Sequence, residues 1–262
     1  MSSQSIGIFD SGVGGTSIWK EINTILPNES TIYLADSKNA PYGEKEKSKI
    51  LELSIKNTEL LLNKGCKLIV IACNTATTNA ISYLRKNYDV PFIGIEPAIK
   101  PAALKTKTNT IGVLATRGTL SSELFSKTSD LYANGIKVIE QYGDGLVPLI
   151  EADKIQSAEM RDLLSKYLKP MISSKVDYLV LGCTHYPYLI KEIKKILPPA
   201  IQIIDSGEAV ARQTKAILTA NNILNEAVNL PIVKFYSNTD SELLKRFLTD
   251  VKINIEVKYK DF

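Results

Sequence analysis

Long hydrophobic runs are missing from this chain. No apolar stretch approaches the roughly 18 to 20 residues that a helix needs to cross a bilayer, so a membrane partner is not expected. The residues from Met1 to Ser5 carry neither the positive nor the apolar region of a signal peptide, and a cytoplasmic location is the expectation. Histidine is almost absent, at one in 262 residues, and the three cysteines form no CxxC pair. Zinc sites draw three or four closely spaced cysteine and histidine ligands, so no metal is expected. The odd cysteine count in a reducing compartment argues against a disulfide framework. Charge of one sign is nowhere concentrated. The net charge is +4 with Lys and Glu interspersed, and without a basic stripe nucleic acid is not an expected partner. Low-complexity linkers are lacking as well.

What is present is ordinary globular material, 44% apolar and 23% charged, enough for one large domain or two of common size. Strand and helix patterns alternate along it. Ile6-Gly7-Ile8-Phe9 leads into the turn Asp10-Ser11-Gly12-Val13-Gly14-Gly15 and a helix to about Ile25. A strand over 31–35, a long helical pattern closed by Gly65, a strand from Leu68, a helix from about Thr77 and a strand over 91–95 follow. This alternation predicts a parallel sheet with right-handed crossovers. The pattern then restarts, because Ile111-Gly112-Val113-Leu114-Ala115-Thr116 echoes the segment from Ile6 to Ser11. The expectation is an α/β fold of two pseudo-symmetric domains, each a mostly parallel sheet flanked by helices, with the site in the cleft between them. The first domain takes 1–97 plus 209–262 and the second 98–208. This assignment returns the candidate strands 232–236 and 253–257 to the first sheet.

Two segments stand out. Leu68-Ile69-Val70-Ile71-Ala72-Cys73-Asn74-Thr75 and Leu179-Val180-Leu181-Gly182-Cys183-Thr184-His185 each end a buried run in a small residue, a cysteine and polar side chains. In open α/β sheets ligands bind at such carboxyl strand ends. Cys66, at a helix–strand junction, reads as inert core, whereas Cys73 and Cys183 form a matched pair of thiols. A protease-like nucleophile would use one thiol with His185 as its base, an awkward geometry two residues along one strand, and would leave Cys73 unexplained. The turn at Asp10 lacks the lysine of a P-loop and the final spaced glycine of a dinucleotide site, but its helix amino terminus could still hold a carboxylate. A two-base reaction accounts for both sulfurs. Inverting a carbon stereocentre needs one group to remove a proton from one face and a similar group to return one to the other. Asp10 and His185 are candidates for handling those protons.

At this point the chain resembles the glutamate racemases of the aspartate/glutamate racemase superfamily. The resemblance rests on Ile8-Phe9-Asp10-Ser11-Gly12-Val13-Gly14-Gly15, Ala40-Pro41-Tyr42-Gly43, Ala72-Cys73-Asn74-Thr75-Ala76, Gly94-Ile95-Glu96-Pro97, Leu114-Ala115-Thr116-Arg117-Gly118-Thr119 and Leu181-Gly182-Cys183-Thr184-His185-Tyr186-Pro187. It implies a cofactor-independent isomerase interconverting L- and D-glutamate for peptidoglycan synthesis, with Cys73 and Cys183 as the proton donors and acceptors. It implies that Asp10 assists Cys73, that His185 with Glu151 assists Cys183, and that Asp10, Ser11, Tyr42, Gly43, Asn74, Thr75, Thr184 and His185 line the substrate pocket. Thr116 and Thr119 are implied as further contacts. Independently of the family, neutral donors on Ser11, Asn74, Thr75 and Thr184 could hold two carboxylates, with Asp10 facing an ammonium. Arginine is scarce near these segments. Aspartate or a hydantoin as substrate, or a bilobed binding protein without catalysis, are the competing readings. The assembly is left open, a homodimer being one option.

Overall fold

The computed structural model describes residues 2–227 and 230–262. It contains two parallel sheets. The strands are β1 (Ile6–Asp10), β2 (Thr31–Ala35), β3 (Leu68–Ile71), β4 (Phe92–Gly94), β5 (Thr110–Ala115), β6 (Lys137–Tyr142), β7 (Tyr178–Gly182), β8 (Gln202–Ile204), β9 (Val233–Ser237) and β10 (Glu256–Tyr259). Helices separate them: α1 (Thr16–Ile25), α2 (Lys47–Asn63), α3 (Asn74–Asn87), α4 (Ile99–Lys105), α5 (Arg117–Leu120), α6 (Glu123–Tyr132), α7 (Leu146–Glu151), α8 (Ala158–Ser173), α9 (Ile190–Ile196), α10 (Gly207–Ala220) and α11 (Ser241–Arg246). The first sheet runs β10-β9-β2-β1-β3-β4 and the second β6-β5-β7-β8.

Every strand pair is parallel, and the central strands are buried runs of Ile, Val and Leu, as sheets covered on both faces require. The two sheets repeat one order, with β2-β1-β3-β4 matched by β6-β5-β7-β8. Their register repeats too. Ile6 lies opposite Leu68, and its counterpart Ile111 lies opposite Tyr178. β9 and β10 extend only the first sheet, and α10 packs on α1. Around β9 the core is aromatic: Phe235 stacks on Tyr33 and meets Trp19 edge-on, both at 4.9 Å between ring centres.

Three local features depart from the pattern read in sequence. Helix α3 begins at Asn74, three residues before the expected start, because extended Cys73 caps it: its sulfur accepts the Ala76 N–H at 3.4 Å. A thiol is not one of the usual capping groups, so the sequence carries no signal for it. Strand β6 went unread, since Lys137, Glu140 and Gln141 break its apolar run at the edge of the second sheet. Strand β10 lies a few residues beyond the expected 253–257, its position fixed by pairing Glu256 with Lys234 of β9.

A buried ion pair fixes the start of β3. Lys67 Nζ lies 2.7 Å from Glu29 Oε2 and donates to the carbonyls of Ser2 and Ile223 at 2.6 and 2.8 Å. Both side chains are almost wholly shielded, so removing one partner strands the other charge away from water. Lys67→Met should therefore cost about 3 kcal/mol in denaturant unfolding. The double variant Lys67→Met, Glu29→Leu should recover most of that loss.

Candidate active site

The carboxyl ends of β1, β3, β5 and β7 meet between the two sheets. Each cysteine stands five residues past the strand position paired with Ile6 or its counterpart Ile111, Leu68 for Cys73 and Tyr178 for Cys183. Equal registers thus deliver equal reach, and both thiols line one cavity. Its wall also contains Ser11, Pro41, Tyr42, Gly43, Asn74, Thr75, Thr116, Val147, Thr184 and His185. The space between them is tightly closed.

The two sulfurs have different neighbours. Cys73 Sγ meets the Ser11 hydroxyl at 3.8 Å and the Ala76 N–H. Burial pushes its thiol well up, and the nearby carboxylate of Asp10 adds to the effect. Cys73 therefore holds its proton at neutral pH. Cys183 Sγ lies 3.8 Å from Nδ1 of His185. The awkward geometry read in the sequence is relieved by the backbone: β7 ends at Gly182, and His185 turns into helical conformation (φ −76°, ψ −29°). That bend brings the ring back onto the sulfur.

Behind His185 stands Glu151, its Oε1 2.6 Å from Nε2. So short a contact to a carboxylate makes Nε2 the donor; the Gly14 N–H, 3.3 Å from the same nitrogen, is a neighbour rather than its partner. Burial alone would lower the His185 pKa, but its contacts with Cys183 and Glu151 and the charge of Asp10 outweigh that and raise it well above the ordinary value. Glu151 is itself clamped from the first lobe by the Val13 N–H at 2.8 Å and the Ser37 hydroxyl at 3.0 Å. Ser37 had no signal in the sequence.

The glycine-rich turn does not cradle an external anion. Asp10 Oδ2 accepts the N–H groups of Gly12 and Gly15 at 3.2 and 2.9 Å, and Glu151 takes that of Val13. The protein's own carboxylates fill the place of a phosphate. The glycines are required by packing across the lobes: a side chain on Gly12 would run into Glu151, and one on Gly14 into the His185 ring. Asp10 is fully buried and also accepts the Thr184 hydroxyl at 3.2 Å. Among the described residues no hydrogen bond joins it to Cys73. Burial raises the pKa of its carboxyl, opposed in part by His185 and the backbone N–H groups.

Asn74 is the unsatisfied member of the wall. It is 3% exposed, and neither its amide nitrogen nor its oxygen has a partner. A buried amide left open costs free energy, and this one lies on the cavity. The Thr75 hydroxyl meets those of Thr116 and Thr119 across the lobes at 2.8 and 3.3 Å, and Thr116 and Thr119 meet each other at 3.1 Å, with Thr119 behind the wall. Tyr42 turns its hydroxyl away, donating to Asp36 at 2.5 Å. Gly43 is held to a glycine because Thr116 leaves no room for a side chain. Asp10, Glu151 and Thr119 thus stand behind residues that touch the cavity, whereas the other residues read from sequence lie on it. Val147 had no sequence signal at all.

Fold and site define a bilobed α/β protein that sets one thiol from each lobe on a shared cavity. The Asp/Glu/hydantoin racemase family model matches residues 6–214. Relatives include a glutamate racemase of Herpetosiphon aurantiacus, 43% identical over 92% of this chain and 94% of its own length. Another, from Pseudomonas putida, is 43% identical over 94% and 93%. Similar solved structures are a Bacillus anthracis glutamate racemase (TM-score 0.87, 30% identity, 100% and 99% covered) and the Escherichia coli enzyme in complex with L-glutamate and an activator, UDP-MurNAc-Ala (TM-score 0.85, 32% identity, 98% of both chains). The chain belongs to the Asp/Glu/hydantoin racemase family, whose members are isomerases.

The raised pKa of His185 sets a pH dependence of stability. The folded state keeps this proton where the unfolded chain, titrating near 6.5, has released it. The stabilisation is complete below about pH 6.5 and is lost as pH climbs through the native value. Melting temperatures should accordingly fall as pH rises above 6.5. His185→Gln should flatten that slope, and an unchanged slope would show that His185 does not bear the extra proton.

Proposed function

We propose that this protein is a glutamate racemase that interconverts L- and D-glutamate by two-base proton transfer between Cys73 and Cys183. The observation that carries the reading is the presence of both thiols on one small cavity, each delivered by an equivalent strand. Relatives named glutamate racemase match over more than nine-tenths of the chain, and a similar structure from Francisella tularensis is in complex with D-glutamate.

In one direction a thiolate takes the Cα proton, and the electron pair of the broken C–H bond passes into the adjacent carboxylate. The opposite thiol then protonates Cα from the other face. The surroundings assign starting roles. Cys73, buried beside Asp10, holds its proton and serves as donor; Cys183 faces Nδ1 of His185 and takes the accepting role. Glu151 keeps His185 oriented, and Asp10 assists Cys73 by helping to keep the proton on its sulfur. Ser11, Asn74, Thr75, Thr116 and Thr184 offer neutral donors to the substrate carboxylates, with Thr119 bracing Thr75 and Thr116 and with Tyr42 and Gly43 closing the wall. Two thiols suffice for both transfers, so no cofactor is called for.

We assign 1–97 with 209–262 to one domain and 98–208 to the other, with substrate between them. The product D-glutamate would serve peptidoglycan synthesis in the cytoplasm, where thiols stay reduced. Among the described residues no helix is long and apolar enough to cross a membrane.

In heavy water, with no added cofactor, glutamate should gain deuterium at Cα while losing optical activity. Cys73→Ser and Cys183→Ser should each reduce racemisation at least a hundredfold, the low end of what a positioned acid or base supplies. Cys66→Ser should stay within twofold. Racemisation without solvent deuterium at Cα would rule out this mechanism.

A further inference from the structure

Beside the cavity lies a vestibule that shares its wall. Pro41, Gly43, Thr116 and Val147 line both spaces, and the vestibule adds Glu44, Arg117 and Asp144 as its charged members. One side, 41–44, comes from the first lobe. The other, 116–117 and 143–148, comes from the second. The vestibule is therefore the outer end of the same cleft.

Among the described residues Arg117 is the only cation on that wall, and it is engaged. Its Nε lies 3.0 and 3.1 Å from the two carboxylate oxygens of Asp144, and its Nη2 lies 2.5 Å from Oδ2. The guanidinium also sits over the Tyr142 ring at 4.6 Å. Arg117 and Asp144 are both substantially exposed, so water can compete for the pair and an incoming anion can replace Asp144 at little cost.

We infer that Arg117, Asp144 and Glu44 form a charge gate, in which Arg117 exchanges Asp144 for a carboxylate of the incoming substrate. The inference rests on the racemase reading, since a dicarboxylate is the ligand the gate admits. With Glu44 and Asp144 ionised the vestibule carries one net negative charge, which opposes that ligand; Arg117 offsets one carboxylate and offers the attractive contact among the described lining residues. A ring of fixed charge at a cleft mouth acts on the rate of capture and is screened by salt. It differs from the cavity, where neutral donors hold the ligand.

The test is a charge series read at low and high ionic strength. Relative to wild type, kcat/KM for glutamate at low salt should fall about three- to tenfold in Arg117→Gln, rise in Asp144→Asn, and rise further in Glu44→Gln, Asp144→Asn. The spread should shrink at high salt. Arg117→Lys should restore most of the loss, which a role confined to packing on Tyr142 or bracing Asp144 bidentately would not allow. Calorimetric binding of glutamate supplies the second readout. Wild-type turnover with Arg117→Gln at the wild-type kcat/KM, or a series whose spread is indifferent to salt, overturns the gate and leaves the racemase reading intact. A wild type that neither turns over nor binds glutamate overturns both.

Discussion

Glu151 leaves the second lobe at the end of α7 and is caught by the first: the Val13 N–H and the Ser37 hydroxyl hold it, and it in turn holds the His185 ring. Most of the site's order follows from this contact. It can form only because Gly12 and Gly14 present bare backbone, so that a carboxylate and an imidazole from the far lobe lie directly on the turn. It fixes Nε2 as a donor, leaves Nδ1 for Cys183, and ties the two sides of the cleft together. Thr184 on Asp10 and the shared hydroxyls of Thr75 and Thr116 add further ties across the cleft.

The two halves repeat in backbone but not in chemistry. Asn74 corresponds in position to Thr184 and Thr75 to His185, so one sulfur is flanked by neutral groups and the other by an ionisable ring. A reaction run in both directions needs two reactive groups of the same kind, yet at any moment one must carry the proton and the other must not. Duplicated strands supply the likeness, and divergence in the following residues supplies the difference.

Much of this was open to reading in the chain itself. Buried runs such as Leu68–Ile71 and Leu179–Gly182 announce parallel strands, and the echo of Ile6–Ser11 in Ile111–Thr116 announces the repeat. The cysteines drew notice because polar residues follow them. What escaped notice depends on contacts distant in sequence. Gly12 and Gly14 suggest a phosphate loop until the far lobe's Glu151 and His185 are seen to occupy the space. Ser37 and Val147 carry no distinguishing type or spacing, and the capping sulfur of Cys73 obeys no common preference. Local pattern reveals elements and exposed strand ends; it does not reveal which end meets which across a cleft.

The matched register of the paired central strands has a consequence for how such a chain can vary. A tether of five residues separates each sulfur from the strand position paired with Ile6 or its counterpart Ile111. A single insertion within either tether would turn a thiol off the shared cavity, whereas the crossover between β1 and β2 already differs in length from that between β5 and β6. Loops are free to drift while these two short spans act as a fixed ruler, and the distance between opposing atoms is inherited from the sheets rather than kept by the loops that surround them.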